Sequence, residues 1–344
     1  MSALKPQTPS APLTYGLRPA PAAQQRPASN DAPDTAFRRD FVAALLRRPR
    51  RISPKHFYDA VGSDLFDRIC EQPEYYPTRT EMAILARHAE DIAARIGPDA
   101  DLIEFGAGSA LKIRLLLDAL PSVRRYVPID ISAEHLERAA QSLRHDHPGL
   151  QVRPLAADFT QPFSLPPPAE GARSRVGVYF GSSLGNFDAD EALRFLRTAA
   201  GLLRGGGLLI GVDLVKDPAV LHAAYNDAAG VTARFNLNLL ERANRELGAG
   251  FDTRLWAHYA CYQPLAQRVE MHLIALERQV VRLAGQCFEF APGDSLHTEN
   301  SQKYTLESLR ALARQAGFGI GPVWLDTQRW FALQWLPCCA GAVH

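Results

Sequence analysis

Residues 101–112 read DLIEFGAGSALK, and this stretch decides the fold that the sequence predicts. Its first five residues have the apolar pattern of a strand, Gly106 and Gly108 interrupt the strand, and a helical pattern begins at Ser109. At such a junction backbone N–H groups point outward from a helix N-terminus, and the glycines let a ligand approach the main chain. The stretch therefore predicts a nucleotide-like cofactor at the edge of an open α/β sheet.

Strand-like and helical segments alternate after this junction, which predicts a parallel, doubly wound sheet. A helix over residues 306–316 then leads into two strands joined by a short turn, which is typical of an antiparallel hairpin at the end of the sheet. Ligands bind at the carboxyl ends of such strands, where Gly106, Asp130, Asp158 and Asn186 fall. The seven predicted strands cover residues 101–105, 125–129, 151–156, 176–180, 208–213, 321–326 and 330–335.

The alternation stops over residues 215–303, which predicts a separate α+β insert. Residues 1–35 are rich in Pro, Ala, Ser and Gln and lack the apolar segment of a secretion signal, so we expect a disordered leader. Helical spacing marks residues 36–48 and 81–96, and the strand-like segments of the insert are 258–262, 269–276 and 280–283.

The composition is that of a globular protein. With 344 residues, 47% of them hydrophobic, the chain can bury a sizeable core. The formal net charge of +1 gives no reason to expect a nucleic acid or an anionic membrane as a partner, and no apolar run reaches the length of a transmembrane helix. A basic run, Arg47, Arg48, Arg50 and Arg51, follows an amphipathic helix without interleaved aromatic residues, so we interpret it as a solvated helix end.

The cysteines predict reduced thiols. Their number, five, is odd, and they lack the CxxC or Cys/His spacing that is typical of a zinc site. We therefore expect a cytoplasmic protein without disulfides and without a metal centre. The five are Cys70, Cys261, Cys287, Cys338 and Cys339.

The glycine turn alone leaves two cofactor classes open. A dinucleotide fingerprint has a third glycine where this sequence has Leu111, which disfavours the alternative of a nucleotide-binding oxidoreductase. A strand with an acidic end, a GxG turn and a second strand with an acidic end are instead the pattern with which class I methyltransferases hold S-adenosylmethionine (SAM). In this interpretation the glycine turn approaches the methionine part of SAM, and Asp130 accepts hydrogen bonds from the ribose hydroxyls. Asp158 and Phe159 then lie beside the adenine.

Longer blocks of the sequence resemble, in order, those of the histidine-specific N-alpha-methyltransferases of ergothioneine biosynthesis. The similarity extends over about residues 37–335. It implies a SAM-dependent class I methyltransferase that methylates the alpha-amine of L-histidine three times to give hercynine. Separately, we expect a monomer. The blocks are FYDAVGSDLFDRICEQPEYYPTRTE, EFGAGSALK, YVPIDIS, ADFT, GSSLGNF, DLVKDP, AAYNDAAGVTARFNLNLL and HTENSQKY.

The resemblance also implies a domain plan. A substrate-binding domain comprises residues 36–79 and 215–303, so it combines the N-terminal segment with the insert after the fifth strand. A Rossmann-like, SAM-binding methyltransferase domain comprises residues 80–214 and 304–344. The leader, residues 1–35, precedes both.

Individual residues around the amino acid follow from the resemblance. Glu299 and Ser301 match the pair that grips the imidazole, where a carboxylate can accept from one ring N–H and a hydroxyl can serve the other nitrogen. Asn186 and Tyr225 match positions that bind the backbone end of the amino acid, and Tyr75 lines the same pocket. Without the resemblance, Glu299 would be interpreted as a surface charge or as a cap of the helix that follows.

Three further assignments complete the predicted site. Tyr58 matches a tyrosine close to the methyl-transfer centre and the cofactor, and we expect it, or a water held beside it and Asn186, to pass the proton of the amine outward. Met271 matches a position in the pocket wall, and Lys112 belongs to the predicted cofactor-binding set. Another free amino acid remains the alternative substrate, because one changed pocket contact can redirect such a site.

Overall fold

The computed structural model describes residues 35–108 and 110–338. The leader expected over residues 1–35 lies outside the described residues, apart from Thr35, which begins the first helix. The helices are α1 (Thr35–Leu46), α2 (Ala60–Cys70), α3 (Tyr76–Ile96), α4 (Leu111–Ala119), α5 (Ala133–Asp146), α6 (Ala189–Leu202), α7 (Pro218–Tyr225), α8 (Val231–Leu247) and α9 (Leu306–Gln315). The strands are β1 (Arg50–Arg51), β2 (Ala100–Phe105), β3 (Val123–Asp130), β4 (Gln151–Val152), β5 (Leu155–Ala156), β6 (Ser174–Tyr179), β7 (Gly207–Asp213), β8 (Trp256–Gln263), β9 (Arg268–Ala275), β10 (Gln279–Leu283), β11 (Gln286–Phe290), β12 (Ser295–Gln302), β13 (Val323–Leu325) and β14 (Phe331–Pro337).

The central sheet has the strand order β13-β14-β7-β6-β2-β3-β4, and β5 also pairs with β3. Strands β4, β3, β2, β6 and β7 are parallel, whereas β14 runs antiparallel to both β7 and β13. This confirms the predicted α/β sheet that closes in an antiparallel hairpin. Helices α3, α4 and α5 bury one apolar cluster against the sheet, and α6 and α9 bury another, so the carboxyl edge of the strands stays open between the two layers.

The strand predicted over residues 151–156 forms as two short strands, β4 and β5. Pro154 lies between them, and a proline has no N–H to donate to the ladder. Beyond the break, Leu155 pairs with Ile129 and Ala156 with Asp130. The chain therefore returns to the side of β3 at the point where both strands end, which places the following residues at the carboxyl edge.

A second sheet, with the order β1-β12-β9-β8, forms from the N-terminal segment and the insert. Strands β8, β9 and β10 correspond to the three strand-like segments that the sequence predicts. The sequence does not predict β12, because its residues, SLHTENSQ, are mostly polar and weak strand formers. Its pairing with β9 on one side and β1 on the other is what makes it a strand.

The end of β12 is attached to the central sheet. The N–H of Tyr304 donates to the carbonyl of Asp213 at 2.9 Å, and Leu214 forms an isolated parallel bridge with Tyr304. Because Asp213 is the last residue of β7, this contact holds the end of β12 at the carboxyl edge of the central sheet. The residues of β12 are thereby brought close to the strand ends.

The interpretation of the basic run as a solvated helix end is wrong for Arg50. This residue is only 5% exposed and belongs to β1, which pairs in parallel with β12. Its guanidinium donates to Asp294 Oδ2 at 3.1 Å and to the carbonyl of Glu289 at 2.7 Å, and it lies 4.0 Å from the centre of the Phe290 ring. Arg50 therefore anchors the N-terminal segment to the insert.

Two further observations concern the helices and the cysteines of the described residues. Among the helices of the described residues, none combines the length and the apolar character that crossing a membrane requires. Cys70, Cys261 and Cys287 are free thiols, and Cys339 lies outside the described residues.

Candidate active site

A cavity of about 1590 Å³ opens at the carboxyl edge of the central sheet and extends to the second sheet. It is lined by every residue that the sequence assigns to a site. From the central sheet and its loops these are Gly106, Gly108, Lys112, Asp130, Asp158, Phe159 and Asn186; from the remaining elements they are Tyr58, Tyr75, Tyr225, Met271, Glu299 and Ser301. The structure thus brings the predicted cofactor-binding residues and the predicted substrate-binding residues to one continuous cavity.

The turn after β2 has the backbone that its glycines predict, since Gly106 has a φ of 68°. The amides of the turn itself do not point outward, because three of them are used inside the fold, and the outward direction of the amides at the N-terminus of α4 stays a prediction. Gly106 and Ala107 donate to the carbonyl of Ile129 at 2.9 and 3.0 Å, and Gly108 donates to that of Gly106 at 3.0 Å. The turn offers close approach instead: apart from the two chain neighbours of Gly108, no described atom lies within 4 Å of the place that a Cβ on Gly108 would occupy.

The two acidic strand ends are held by donors from nearby residues. Asp130 accepts from the N–H of Ser132 at 2.9 Å, and Asp158 accepts from the N–H of Thr160 at 3.0 Å. Lys55 Nζ lies 3.3 Å from the other oxygen of Asp158. Burial alone would raise the pKa of Asp158, but the Thr160 and Lys55 donors outweigh burial and lower it. Asp158 is therefore a fixed anion in the cavity wall.

Phe159 contributes a flat apolar wall beside Asp158. Its ring meets those of Phe105, Tyr179 and Phe195 in edge-to-face contacts, with centroids 6.1, 5.9 and 5.7 Å away. Such contacts hold an aromatic ring in one orientation. A planar heterocycle can therefore lie against the ring of Phe159 without rearrangement of the wall.

Lys112 is engaged with a residue that the sequence does not single out. Its Nζ lies 2.6 Å from Oε2 of Glu81, which is fully buried in α3. The same carboxylate accepts from the N–H of Gly181 at 2.9 Å, in the loop after β6. The pair therefore joins α3, α4 and this loop at the cavity wall, and the role of Lys112 in cofactor binding stays a prediction.

Asn186 ends a short 3₁₀ helix, Ser183–Asn186, in the loop between β6 and α6. This helix lies directly against β12. A Cβ on Gly185 would come within 2.8 Å of the carbonyl oxygen of Gln302, so the approach of the two elements requires glycine. Asn186 is therefore placed between the glycine-turn end of the cavity and the strand that carries the predicted imidazole-binding pair.

Aromatic side chains form the wall contributed by the N-terminal segment. The rings of Tyr58 and Tyr75 lie on either side of Phe66, at 5.6 and 6.3 Å, and Tyr75 lies 6.4 Å from Tyr225. Within the part of the chain that the structure describes, the hydroxyls of Tyr58 and Tyr75 form no hydrogen bond to another residue. Burial raises the pKa of both phenols well above the usual value, and Glu299 adds to this effect. Both are therefore neutral groups available to a ligand.

Glu299 and Ser301 lie on β12 and line the cavity together with Met271, which is paired in register with Glu299. Burial raises the pKa of Glu299 to about 7, although Lys303 acts in the opposite direction. The alternative interpretation of Glu299 is wrong in both forms: α9 is capped by Thr305, and Glu299 is a half-buried residue of β12 that lines the cavity. A carboxyl and a hydroxyl thus face the cavity from one strand.

The sequence does not predict the part played by Lys303, which follows β12 and is 1% exposed. Its Nζ donates to Ser301 Oγ at 2.8 Å and to Tyr225 Oη at 3.0 Å, and it lies 2.8 Å from Asp213 Oδ2. Burial would lower the pKa of Lys303, but Asp213 and Tyr225 outweigh burial and raise it. Lys303 is therefore a buried cation whose three N–H groups all have acceptors.

Asp213 at the end of β7 is the shared acceptor of this cluster. The hydroxyl of Tyr76 lies 2.8 and 2.7 Å from its two carboxylate oxygens, and the Lys216 ammonium also contacts Oδ1. Burial would raise the pKa of Asp213, but Lys303 and Lys216 outweigh it and lower that pKa. The sequence contains one indication of this cluster. Its charged residues belong to DLVKDP and HTENSQKY, two of the blocks that carry the resemblance.

The two ends of the cavity fit different chemical groups. The glycine-turn end combines open backbone, two carboxylates and a flat aromatic wall, which suit a nucleoside with an attached amino acid and thus fit SAM. The end at β12 offers a carboxyl, a hydroxyl and phenols, which suit a small polar molecule with a ring that donates and accepts hydrogen bonds. Because both ends belong to one cavity, a donor at one end can face an acceptor at the other.

Comparison with known proteins agrees with this geometry. The sequence profile described as "histidine-specific methyltransferase, SAM-dependent" matches residues 37–338. The chain is 41% identical over 309 residues to the histidine N-alpha-methyltransferase of Mycolicibacterium smegmatis, with 88% of this chain and 95% of that protein covered. It is 40% identical over 309 residues to the histidine N-alpha-methyltransferase of Mycobacterium tuberculosis, with the same two coverages of 88% and 95%.

A solved structure of a SAM-dependent methyltransferase from Clostridium acetobutylicum is 12% identical, has a TM-score of 0.44, and is matched over 75% of this chain and 92% of that chain. The sequence matches alone decide the family, because they extend over most of this chain at 40% identity or above. The chain belongs to the histidine-specific, SAM-dependent methyltransferases.

Proposed function

We propose that this protein transfers three methyl groups from SAM to the alpha-amine of L-histidine and so forms hercynine, in the biosynthesis of ergothioneine. The observation that supports the proposal most is the single cavity that contains both the glycine turn after β2 and the pair Glu299 and Ser301. A methyl donor and a free amino acid can lie in contact there. The two histidine N-alpha-methyltransferases at 41 and 40% identity support the same substrate.

Individual residues at the cofactor end can be assigned to the parts of SAM. SAM supplies an electrophilic methyl group on a sulfonium sulfur. We assign the ribose hydroxyls to Asp130, the adenine to Asp158 and Phe159, and the methionine part to the turn at Gly106 and Gly108. Because the amides of this turn are used within the fold, its contribution is unobstructed close approach.

The transfer itself requires the histidine amine to be deprotonated and aligned with the methyl group. Each transfer forms an N–C bond from the nitrogen lone pair and breaks the S–C bond, and a proton leaves the nitrogen before the next transfer. Chain-terminal alpha-amines have a pKa of about 8, and the carboxylate beside the amine of a free amino acid raises this pKa further, so loss of the proton near neutral pH costs at least about 1.4 kcal/mol. Alignment of the two reactants therefore contributes more to the rate than a strong base does.

We assign this alignment to Tyr58, Asn186, Tyr75 and Tyr225. The raised pKa of Tyr58 keeps its phenol neutral, so it acts as a hydrogen-bonding group and not as a phenolate base. A water held beside Tyr58 and Asn186 receives the proton. Asn186 and Tyr225 hold the backbone end of the amino acid, Tyr225 by accepting from the amine, because its O–H donates to Ser301. The rings of Tyr58 and Tyr75 favour the cation that develops on the nitrogen.

The imidazole end supports histidine through a defined pattern of donors and acceptors. Ser301 Oγ accepts from Lys303 at 2.8 Å and from Tyr225 Oη at 2.6 Å, so both of its lone pairs are used. Its own O–H is then left to donate, which requires an unprotonated ring nitrogen. Glu299 accepts from the N–H on the other side of the ring, and Met271 closes the wall. The pattern matches one neutral tautomer of imidazole.

We also propose that residues 36–79 and 215–303 form the substrate-binding domain and that residues 80–214 and 304–344 form the SAM-binding domain. The buried apolar clusters support this division. One of them contains residues between Phe37 and Tyr76 and between Leu221 and Leu296. The other two contain residues of the second set.

We further infer a monomeric enzyme of the cytoplasm that needs neither a nucleic acid nor a membrane. Free thiols at Cys70, Cys261 and Cys287 and a net charge of +1 support this inference. Light scattering coupled to size-exclusion chromatography tests the oligomeric state, and a dimeric mass would contradict it.

The proposed function is tested by incubating the protein with SAM and a panel of free amino acids and measuring product masses. We expect histidine to gain up to three methyl groups, all on the alpha-nitrogen by fragmentation. If another amino acid is methylated and histidine is not, the substrate is wrong and the class of enzyme stands. If SAM binds and no amino acid is methylated, the proposal of amino acid methylation fails.

A further inference from the structure

The second sheet has an outer face that the proposed reaction does not use. Side chains alternate along β9, so that Val269, Met271 and Leu273 are buried on the inner side whereas Glu270 and His272 are partly exposed on the outer side. Met271 lines the substrate cavity. Its two neighbours in sequence therefore point to the opposite face of the same strand.

Cys261 of β8 lies on this outer face as well. It is paired in register with Glu270, and His272 follows two residues further along β9. Cys261 Sγ, a carboxylate oxygen of Glu270 and a ring nitrogen of His272 all lie within 4.8 Å of one another. Three different metal-binding groups therefore converge from two neighbouring strands of a sheet.

Neighbouring side chains orient two of these groups. His272 Nδ1 lies 2.9 Å from Ser295 Oγ, and the ring of His297 stacks on that of His272 with centroids 4.8 Å apart. Arg268 donates to Glu270 Oε1 at 2.7 Å, and Glu270 Oε2 lies 3.3 Å from His272 Nε2. In the metal-free protein the Glu270 carboxylate places the ring proton on Nε2, whereas the other neutral tautomer, in which Nδ1–H donates to Ser295 Oγ, presents the lone pair of Nε2, which is how metal-bound histidines are commonly held.

We propose that Cys261, Glu270 and His272 form a binding site for Zn²⁺ on the outer face of the second sheet. Thiolate, imidazole and carboxylate are the three ligand types of zinc sites, and a site with three protein ligands leaves the fourth position to water. Binding forms one bond from each of the three groups and releases the thiol proton to solvent. The ring proton of His272 moves from Nε2, where it bonds Glu270, to Nδ1, where it donates to Ser295 Oγ. Zinc bonds of about 2.0–2.3 Å require the three side chains to draw together, which rotation of partly exposed side chains permits.

The ligand set also decides which ions the site rejects and how firmly it holds zinc. Mg²⁺ and Ca²⁺ prefer oxygen ligands, so a thiol and an imidazole disfavour both ions. The guanidinium of Arg268 remains on Glu270 and adds a positive charge beside the ion. Zinc is therefore held less tightly here than in a closed structural site with four protein ligands.

The test is a calorimetric titration of the full-length protein with ZnCl₂ in the absence of histidine, which chelates zinc itself. Cys338→Ser and Cys339→Ser are included as the background, so that the two adjacent thiols of the tail do not contribute. We expect one bound ion per chain, with affinity lowered at least about 10-fold by Cys261→Ser and by His272→Gln. Titration with Co²⁺ should show the charge-transfer absorption of a thiolate ligand, and this absorption should disappear in Cys261→Ser.

Cys287→Ser is the matched control, because Cys287 is an exposed thiol on β11 outside the cluster. We expect it to leave zinc affinity unchanged. Zinc affinity that is unchanged by both Cys261→Ser and His272→Gln overturns the proposal, as does a cobalt complex without thiolate absorption. Thermal melts followed by circular dichroism verify that each variant is folded, and Cys261→Ala and His272→Asn replace any variant that is not.

Discussion

The two ends of the cavity are built in different ways. At the cofactor end, the acidic residues that end two strands are oriented mainly by nearby residues: Asp130 accepts from the N–H of Ser132, two residues away. At the substrate end, Ser301 is bonded to Lys303, which is bonded to Tyr225, 78 residues earlier in the sequence, and to Asp213. Distant residues contribute to both ends, but only the substrate end depends on a buried cluster of charges.

This difference predicts which substitutions should weaken only binding and which should also destabilise the fold. A change at the cofactor end removes contacts to SAM and leaves the rest of the cavity intact. A change in the buried charge cluster leaves other charges without partners, so it should affect folding as well as binding. The following predictions test this contrast, beginning with the largest expected effect.

Asp213→Ala should give the largest loss. It removes the carboxylate that Lys303 and Lys216 share and leaves both cations near the cavity without it. Breaking a buried ion pair by removing one partner costs about 3–5 kcal/mol, so we expect a decrease of that size in the free energy of unfolding, measured by urea titration. The matched control is Glu289→Ala, which removes an exposed pair with Arg278 and should leave the urea midpoint unchanged. Equal midpoints for the two variants would contradict the role given to burial.

Glu299→Ala and Asp130→Ala should separate the two ends. A hydrogen bond to a charged group contributes about 1.5–3 kcal/mol, so we expect Glu299→Ala to raise the KM for histidine by roughly 10- to 100-fold. It should change the dissociation constant of SAM by less than about 3-fold. Asp130→Ala should show the reverse pattern. The constants come from steady-state kinetics and from calorimetric binding of SAM, and parallel losses in both variants would mean that the two ends are not independent.

Lys303→Met tests whether the buried cation orients Ser301. Without the ammonium, one lone pair of Ser301 is no longer occupied and its O–H is no longer directed to the imidazole. We expect the KM for histidine to rise about 10-fold while kcat changes much less, as for the loss of one hydrogen bond to a charged group.

Lys216→Met is the control for Lys303→Met. Lys216 contacts Asp213 and Tyr76, whereas Lys303 contacts Asp213, Ser301 and Tyr225. Both variants weaken the ion cluster, but we expect Lys216→Met to change the KM for histidine by less than about 2-fold. Equal KM values in the two variants would show that Lys303 acts only through the stability of the fold.

The smallest predicted effect concerns pH. Burial raises the pKa of Glu299 from 4.5 to about 7. A carboxyl with a raised pKa in the folded state stabilises the fold fully below its unfolded pKa and loses this contribution as the pH rises through its folded pKa. Between pH 4.5 and 7 the ligand-free protein should therefore lose roughly 1 kcal/mol of stability through Glu299, discounted for its partial contact with solvent in the cavity. The melting temperature should therefore change less with pH across this range in Glu299→Gln than in the unchanged protein. An identical pH dependence of the melting temperature in both proteins would contradict the prediction.

The central sheet could be predicted from the sequence because its strands and helices carry their own periodicity. The glycine turn and the acidic residues at strand ends follow from the same periodicity, since the carboxyl ends of parallel strands meet at one edge. Even there, the direction of the amides of Gly106 and Ala107 was not predictable, because it depends on the carbonyl of Ile129 on the neighbouring strand.

The substrate end could be predicted only through the resemblance to a family. Strand β12 has no apolar alternation, so Glu299 alone looks like a surface charge until pairing with β9 is known. Lys303 and Asp213 are ordinary charged residues in sequence, and only burial reveals their contact. The proposed zinc cluster could not be predicted from the sequence either. Pairing of β8 with β9 brings Cys261 next to Glu270, and the two residues lack the sequence spacing of a zinc motif.

The parallel pairing of β1 with β12 has a consequence for the way the protein is made. Arg50 and Asp294, which this pairing brings together, are 244 residues apart. During synthesis the N-terminal segment leaves the ribosome long before its partner strand has been made. The apolar cluster that contains Phe37 and Phe57 therefore stays incomplete until Leu296 has been synthesised. The part of the enzyme that selects the amino acid is therefore completed only after β12 has been synthesised. A nascent chain shorter than this cannot recognise a substrate, and it also lacks β13 and β14 of the central sheet.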